Sequence, residues 1–236
     1  MPSARILLIG FGLVGLAALL YVVARETPMF AVRRIEVEGA PPRVAAHVRR
    51  ALAPLRGKSL LALGRGDVEP RLAALPDVAA TSYDRAFPST LRVVVRPERP
   101  VTVVRQGSSS WLVSAGARVI RAVSHGAAPR LPRIWVGRSA SVGVGDVLSD
   151  ANARRAVRAL ALVRALPVHA RFVRANDNEL TLILRSGLEL RLGNDRALPL
   201  KLAIARSILP SLSGASPPYT YLDVSVPERP VAGSKP

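Results

Sequence analysis

The sequence predicts an α+β protein in three parts: an N-terminal transmembrane helix, a small βααββ domain, and a mixed α/β domain with a mostly antiparallel sheet. Three observations predict it. A charge-free apolar run, Ile6 to Ala24, stands between Arg5 and Arg25. Between Phe30 and Pro97 the apolar period switches from two to about 3.6 and back to two. After the junction Arg96-Pro97-Glu98-Arg99-Pro100, short alternating segments recur around two amphipathic helical stretches.

As a helix, Ile6–Ala24 reaches ~28 Å at 1.5 Å per residue, close to the hydrocarbon thickness of a bilayer. In lipid such a run satisfies its own backbone hydrogen bonds only as a helix. A cleaved leader has an apolar core of ~7–15 residues and small residues before the cleavage point. Val22-Val23-Ala24 passes weakly as such a site. The run is longer than a leader core, however, and ends in bulky Tyr21, Val22 and Val23, so it reads as a retained anchor. Charge leaves orientation open: Arg5 and the amine flank one end, and Arg25, Arg33 and Arg34 the other.

Ile35-Glu36-Val37-Glu38 alternates and stops at Gly39, which predicts a strand. Pro41-Pro42 open a helix over 43–55, with Val44, Val48, Leu52 and Leu55 on one face. Asp67 is the expected N-cap of a second helix over 68–75, which Pro76 ends. Two strands follow, over 78–85 and 91–96, about a turn at Phe87-Pro88-Ser89-Thr90. Helices on one face of a sheet suit this order.

In the second region, 101–105 continues as strand and Gln106-Gly-Ser-Ser-Ser110 as a hairpin connection. Trp111 to Ile120 gives two short strands about Gly116. The Pro- and Gly-rich stretch 123–138 reads as a loop with one apolar knot, 131–136. Ser149 or Asp150 caps a helix to Leu166. Leu180, Leu182 and Leu184 alternate on one arm of a hairpin, Ser186-Gly187 turn, and Leu188, Leu190 and Leu192 alternate on the other. A helix over 196–212 and a last strand over 219–226 complete the unit. The expected boundaries are therefore 1–5 N-terminus, 6–24 span, 30–98 first domain, 99–226 second domain and 227–236 flexible tail.

The formal net charge is +18, with lysine only at Lys58, Lys201 and Lys235, and there is no cysteine. Anionic lipid, anionic cell-wall polymer and nucleic acid are the partner classes such a charge raises. The arginines are scattered, with little aromatic interleaving, so nucleic acid is not expected. No motif carries catalysis: His47, His125 and His169 lie far apart in sequence, and there is no His-x-x-x-His or Gly-x-Ser-x-Gly. Neither enzyme activity, cofactor nor metal is expected. Pro-Glu-Arg-Pro-Val occurs at both 97–101 and 227–231, each after a Val-rich segment, and reads as strand-exit chemistry.

The ordered set of motifs resembles the FtsQ/DivIB bacterial division proteins. It comprises the span, Phe30-x-Val32-x-x-Ile35-x-Val37-x-Gly39, Leu75-Pro76-x-Val78, Arg85-x-Phe87-Pro88-x-Thr90-Leu91-x-Val93-x-Val95 and Glu98-Arg99-Pro100-Val101. Trp111-Leu112-Val113-x-x-Gly116, Leu131-Pro132, Leu200-Lys201-Leu202 and Tyr221-Leu222-Asp223-Val224 continue it. Phe87 stands where that family commonly has Trp, and the N-terminus before the span is short. The βααββ unit is similar to a POTRA domain, with Phe30, Gly39, Phe87, Pro88, Leu91, Arg99 and Pro100 at its motif positions.

The resemblance implies a non-enzymatic septation scaffold at the division site. It would cross the cytoplasmic membrane once with its N-terminus inside, and bind FtsB/DivIC-like and FtsL-like coiled-coil proteins. From the residues, a last strand bracketed by prolines is an expected free edge. Tyr221, Asp223, Val224 and Ser225 would bound a β-augmentation surface, with Arg174 facing acidic partner positions. A membrane-anchored binder of anionic wall polymer, or a POTRA-containing transport or assembly factor, is the alternative.

Overall fold

A computed structural model describes residues 12–17, 21, 23, 28–163, 169–212 and 219–234. The expected span Ile6–Ala24 lies largely outside the described residues; those of it that are described are helical and exposed. Among the described residues, no helix is long and apolar enough to cross a membrane. The chain divides into two compact units, Met1–Pro97 and Glu98–Pro236.

In the first unit a 3₁₀ turn, Pro28–Phe30, leads to β1 (Arg34–Glu38), α1 (Pro42–Leu52) and α2 (Arg65–Ala73), then β2 (Val78–Ala86) and β3 (Thr90–Pro97). The sheet order is β1-β3-β2, with β1 parallel and β2 antiparallel to β3. β3 is central, and its alternation buries Leu91, Val93 and Val95. Against that face α1 presents Val44, Val48 and Leu52, and a 3₁₀ turn over Ala53–Leu55 adds Leu55. Each of these large side chains contributes about 1.5–3 kcal/mol by leaving water.

Gly39 ends β1 at φ 76°, where a Cβ would lie 2.7 Å from the Val95 carbonyl oxygen, so the connection into α1 requires glycine. Asp67 is not the N-cap of α2. Gly64 holds that position, and Asp67, three residues in, accepts the Gly64 N–H through Oδ2 at 3.0 Å. The carboxylate still quiets the helix start, but from inside the first turn.

The second unit strings β4 (Pro100–Gln106), β5 (Ser109–Ser114), β6 (Val119–Val123), β7 (Arg133–Trp135), α3 (Ala151–Val163), β8 (Ala170–Ala175) and β9 (Leu180–Leu184). β10 (Glu189–Arg191), α4 (Leu198–Leu212), β11 (Tyr221–Asp223) and β12 (Val231–Gly233) follow. The nine strands form one sheet in the order β12-β11-β10-β9-β8-β7-β4-β5-β6. Pairs β4–β7, β7–β8 and β10–β11 are parallel, and the remainder antiparallel. Helices α3 and α4 contribute to one core with Leu180, Leu182, Leu184, Leu190 and Leu222 of the sheet. Asp150 caps α3, its Oδ1 accepting the Ala153 N–H at 2.8 Å.

Three strands were not expected: β7, β8 and β12. β7 is the apolar knot of the supposed loop, too short for a period of two to show, yet Ile134 plugs the core between β4 and β8. β8 was hidden because Arg171 and Arg174 interrupt its apolar positions and a register shift between Ala170 and Phe172 breaks its alternation. At the C-terminus the expected strand over 219–226 is three residues long, and the expected loose tail contains β12. Both copies of Pro-Glu-Arg-Pro-Val therefore lead into strands: Pro100 opens β4, and Val231 opens β12.

Candidate functional site

The face of the second sheet turned away from α3 and α4 is built by the residues between the core leucines. Register places Arg174 opposite Thr181, Thr181 opposite Arg191, Arg191 opposite Asp223, and Asp223 opposite Val231. A neighbouring row runs Phe172, Ile183, Glu189, Tyr221, Gly233. Strands lie ~4.8 Å apart, so Arg174 and Asp223 are ~14 Å apart across the sheet.

Glu189 is the centre of this surface. Its carboxylate lies 3.3 Å from Arg191 and 4.0 Å from Arg174. Arg191 also stacks over the Tyr221 ring at 4.2 Å, and Arg174 over Phe172 at 5.7 Å. Pairs this open to water are worth little individually, ~0–1 kcal/mol each, but together they hold three long side chains in place. Thr181 Oγ1 is buried beneath the row and has no hydrogen-bond partner among the described residues.

At the C-terminal margin, Tyr221 lies flat over β12. A Cβ on Gly233 would stand 2.6 Å from its hydroxyl, so glycine is what lets the ring settle there. Asp223 Oδ1 accepts the Ser225 N–H at 2.8 Å. From the core side, Lys201 is 2% exposed and donates from Nζ to Leu192 O (2.7 Å), Asn194 O (3.0 Å) and Asn194 Oδ1 (3.1 Å). Burial pushes its ammonium below the usual lysine value, and the charges of Asp195 and Asp223 oppose that. Lys201 thus fixes the turn leaving β10, whose Gly193 would bring a Cβ within 2.8 Å of the Ser225 Cβ.

Of the partner-surface residues expected from sequence, Arg174, Tyr221 and Asp223 come together on this face, and Ser225 follows just beyond β11. Val224 does not join them. It is fully buried, and its N–H donates to Arg191 O at 2.9 Å. Nor is β11 the free edge: β10 and β12 flank it, and the sheet ends at β12. Glu189, Arg191 and Thr181 were missed, although the strict leucine alternation already required the residues between to face the other way.

In the first unit, Phe30 and Phe87 meet edge to face at 5.8 Å, and Leu91 lies in the core. Phe87 and Pro88, joined by a cis peptide, are exposed. Arg99 and Pro100 fall in the second unit. His47 donates from Nδ1 to Asp77 Oδ2 at 2.7 Å and ties α1 to the start of β2. Among the described residues no group of three His, Asp or Glu could hold a metal ion.

Residues 30–96 match the family model described as the POTRA domain, FtsQ-type. The chain carries an FtsQ-type POTRA domain. That supports an FtsQ/DivIB-family protein and a cell-division role of that kind. The matched stretch takes in the sheet β1-β3-β2 and both helices, so the order read from the motifs and the packed unit coincide. No curated protein matches the chain.

Proposed function

We propose that this FtsQ/DivIB-type protein is a non-enzymatic septation scaffold, held in the cytoplasmic membrane by Ile6–Ala24 with both folded units outside. Its second unit binds small coiled-coil division proteins of the FtsB/DivIC and FtsL kind by strand addition. The observation that carries the binding mode is the position of β12. The nine-stranded sheet ends there, in a three-residue strand whose outer edge pairs with no strand among the described residues. Such an edge offers N–H and C=O groups to another chain. On the sheet face leading up to it, Tyr221, Arg191, Glu189 and, four strands in, Arg174 give the specificity surface, and Val231, 52% exposed, the apolar contact.

The anchor reading draws on the exposed Leu13, Val14, Leu16, Tyr21 and Val23, five large apolar side chains that lipid would cover. The bulk of the chain outside and the N-terminus inside follow the family resemblance.

Adjacent residues of a strand aim their N–H groups at opposite edges. Of Val231→Pro and Ala232→Pro, one therefore removes a donor from the free edge and the other a donor from the β11 pairing. In a capture assay with a coiled-coil division partner, the first should lose binding while keeping its melting temperature, and the second should melt earlier. Equal capture by wild type and both variants would rule out strand addition at β12. A proline at Val224 would not serve, because it breaks the core.

A further inference from the structure

The end of the POTRA unit where the chain enters carries an uncovered apolar patch. Phe87 is 55% exposed and Met29 60%, with Phe30 packed edge to face on Phe87. From Pro28 to Pro97, Val94 is the one other large hydrophobic side chain left exposed.

The backbone fixes this patch beside the entry point. Ser89 O accepts the N–H groups of Arg33 (2.9 Å) and Arg34 (3.2 Å), which brings the 87–89 turn against the incoming strand. Leu60 N–H donates to Phe30 O at 2.8 Å, Val32 N–H to Lys58 O at 2.9 Å, and Gly57 N–H to Val32 O at 3.1 Å. Residues 30–32 are thereby clamped onto the domain, and the patch cannot swing away from the chain that leads to it. Arg33 and Arg56, both exposed, flank the clamp.

Distance then decides what the patch can meet. Six residue steps separate Ala24 from Phe30, which fully extended span at most ~20 Å. The polar layer outside the hydrocarbon core is ~5–8 Å deep. An exposed aromatic and a methionine, rimmed by arginine and tethered this closely to a span, have the composition of an interfacial contact.

We propose that this end of the POTRA unit rests in the headgroup layer of the membrane. Phe87 and Met29 enter the interface, and Arg33 and Arg56 face anionic lipid phosphates. The contact fixes the tilt of the unit on the bilayer. It rests on Ile6–Ala24 being a span.

The chain has no cysteine, so a single introduced one takes an environment-sensitive fluorophore. The full chain is reconstituted in vesicles of phosphatidylethanolamine and phosphatidylglycerol, with nitroxide lipids as quenchers. Labels go on Asp84→Cys, near the 87–89 turn, on Ala80→Cys at the far end of β2, and on Gly12→Cys within the span. Headgroup nitroxide should quench the Asp84 label severalfold more than the Ala80 label, and adding Phe87→Asp should bring the two level. Phe87 is 55% exposed, so that variant gives up the edge-to-face contact with Phe30 but stays folded, and a melting curve run alongside checks it. Deep nitroxide quenching at Gly12, with equal quenching at Asp84 and Ala80, would overturn the docking and leave the span standing. No quenching at Gly12 would overturn the span, and the docking with it.

Discussion

Replacing Lys201 by Met tests how the second unit holds the end of β10 against β11. Methionine keeps most of the stem volume and removes three donors, two to Asn194 and one to Leu192 O. Asn194 is exposed and its acceptors can take water; Leu192 is fully buried and its carbonyl cannot. The expected loss is that of one unsatisfied buried acceptor, about 1–3 kcal/mol. In a unit of this size that lowers the melting temperature by about 4–8 °C at the middle of the range.

The pH dependence carries a sign. Burial lowers the folded-state value of Lys201 below the unfolded 10.5. Below that lowered value both states hold the proton, and the folded state bears the full burden of a buried charge. Between it and 10.5 the unfolded chain binds more protons, so stability rises with pH; above 10.5 the burden is gone. Wild type should therefore gain on Lys201→Met as pH climbs through this window. Thermal melts of the purified full chain from neutral to alkaline pH measure both effects. A variant as stable as wild type, or one with the same alkaline slope, would refute the assignment.

Further outcomes follow from the same geometry. Gly39→Ala should destabilise the POTRA unit by about 2 kcal/mol, because a side chain at φ 76° is strained and its Cβ meets the Val95 carbonyl; a denaturant melt checks it. Gly233→Val should lift Tyr221 off β12 and weaken partner capture severalfold, with little change in melting temperature. Asp67 is held below the usual carboxylate range first by the Gly64 N–H and then by Lys58. Its contribution is present above the unfolded value of 3.8 and fades as pH falls through the lower folded value, so Asp67→Asn should flatten the acid limb of the melting curve.

The sequence made the first unit almost fully readable because its signals are local. Val44, Val48, Leu52 and Leu55 fall at helical spacing and all reach the core. Gly39 and Pro76 mark real boundaries. The second unit was readable where periodicity is long, as in Leu180 to Leu192, and unreadable where pairing is remote. β7 has three residues and earns its place from β4 and β8, each far along the chain. β12 lies in a stretch rich in Pro and Gly and exists because β11 lends it hydrogen bonds, as in Thr220 N–H to Gly233 O at 2.9 Å. Missing it displaced the free edge by one strand. Tyr221 and Asp223 share a face, as expected, because they alternate with the buried Leu222 and Val224; Arg174 was chosen for its charge alone, and its strand β8 was not legible.

The division role is tested most directly in living cells. A fluorescent fusion to the full chain should form a band at mid-cell, and depletion should produce filaments lacking completed septa. A uniform membrane signal, with normal septa after depletion, would contradict the account.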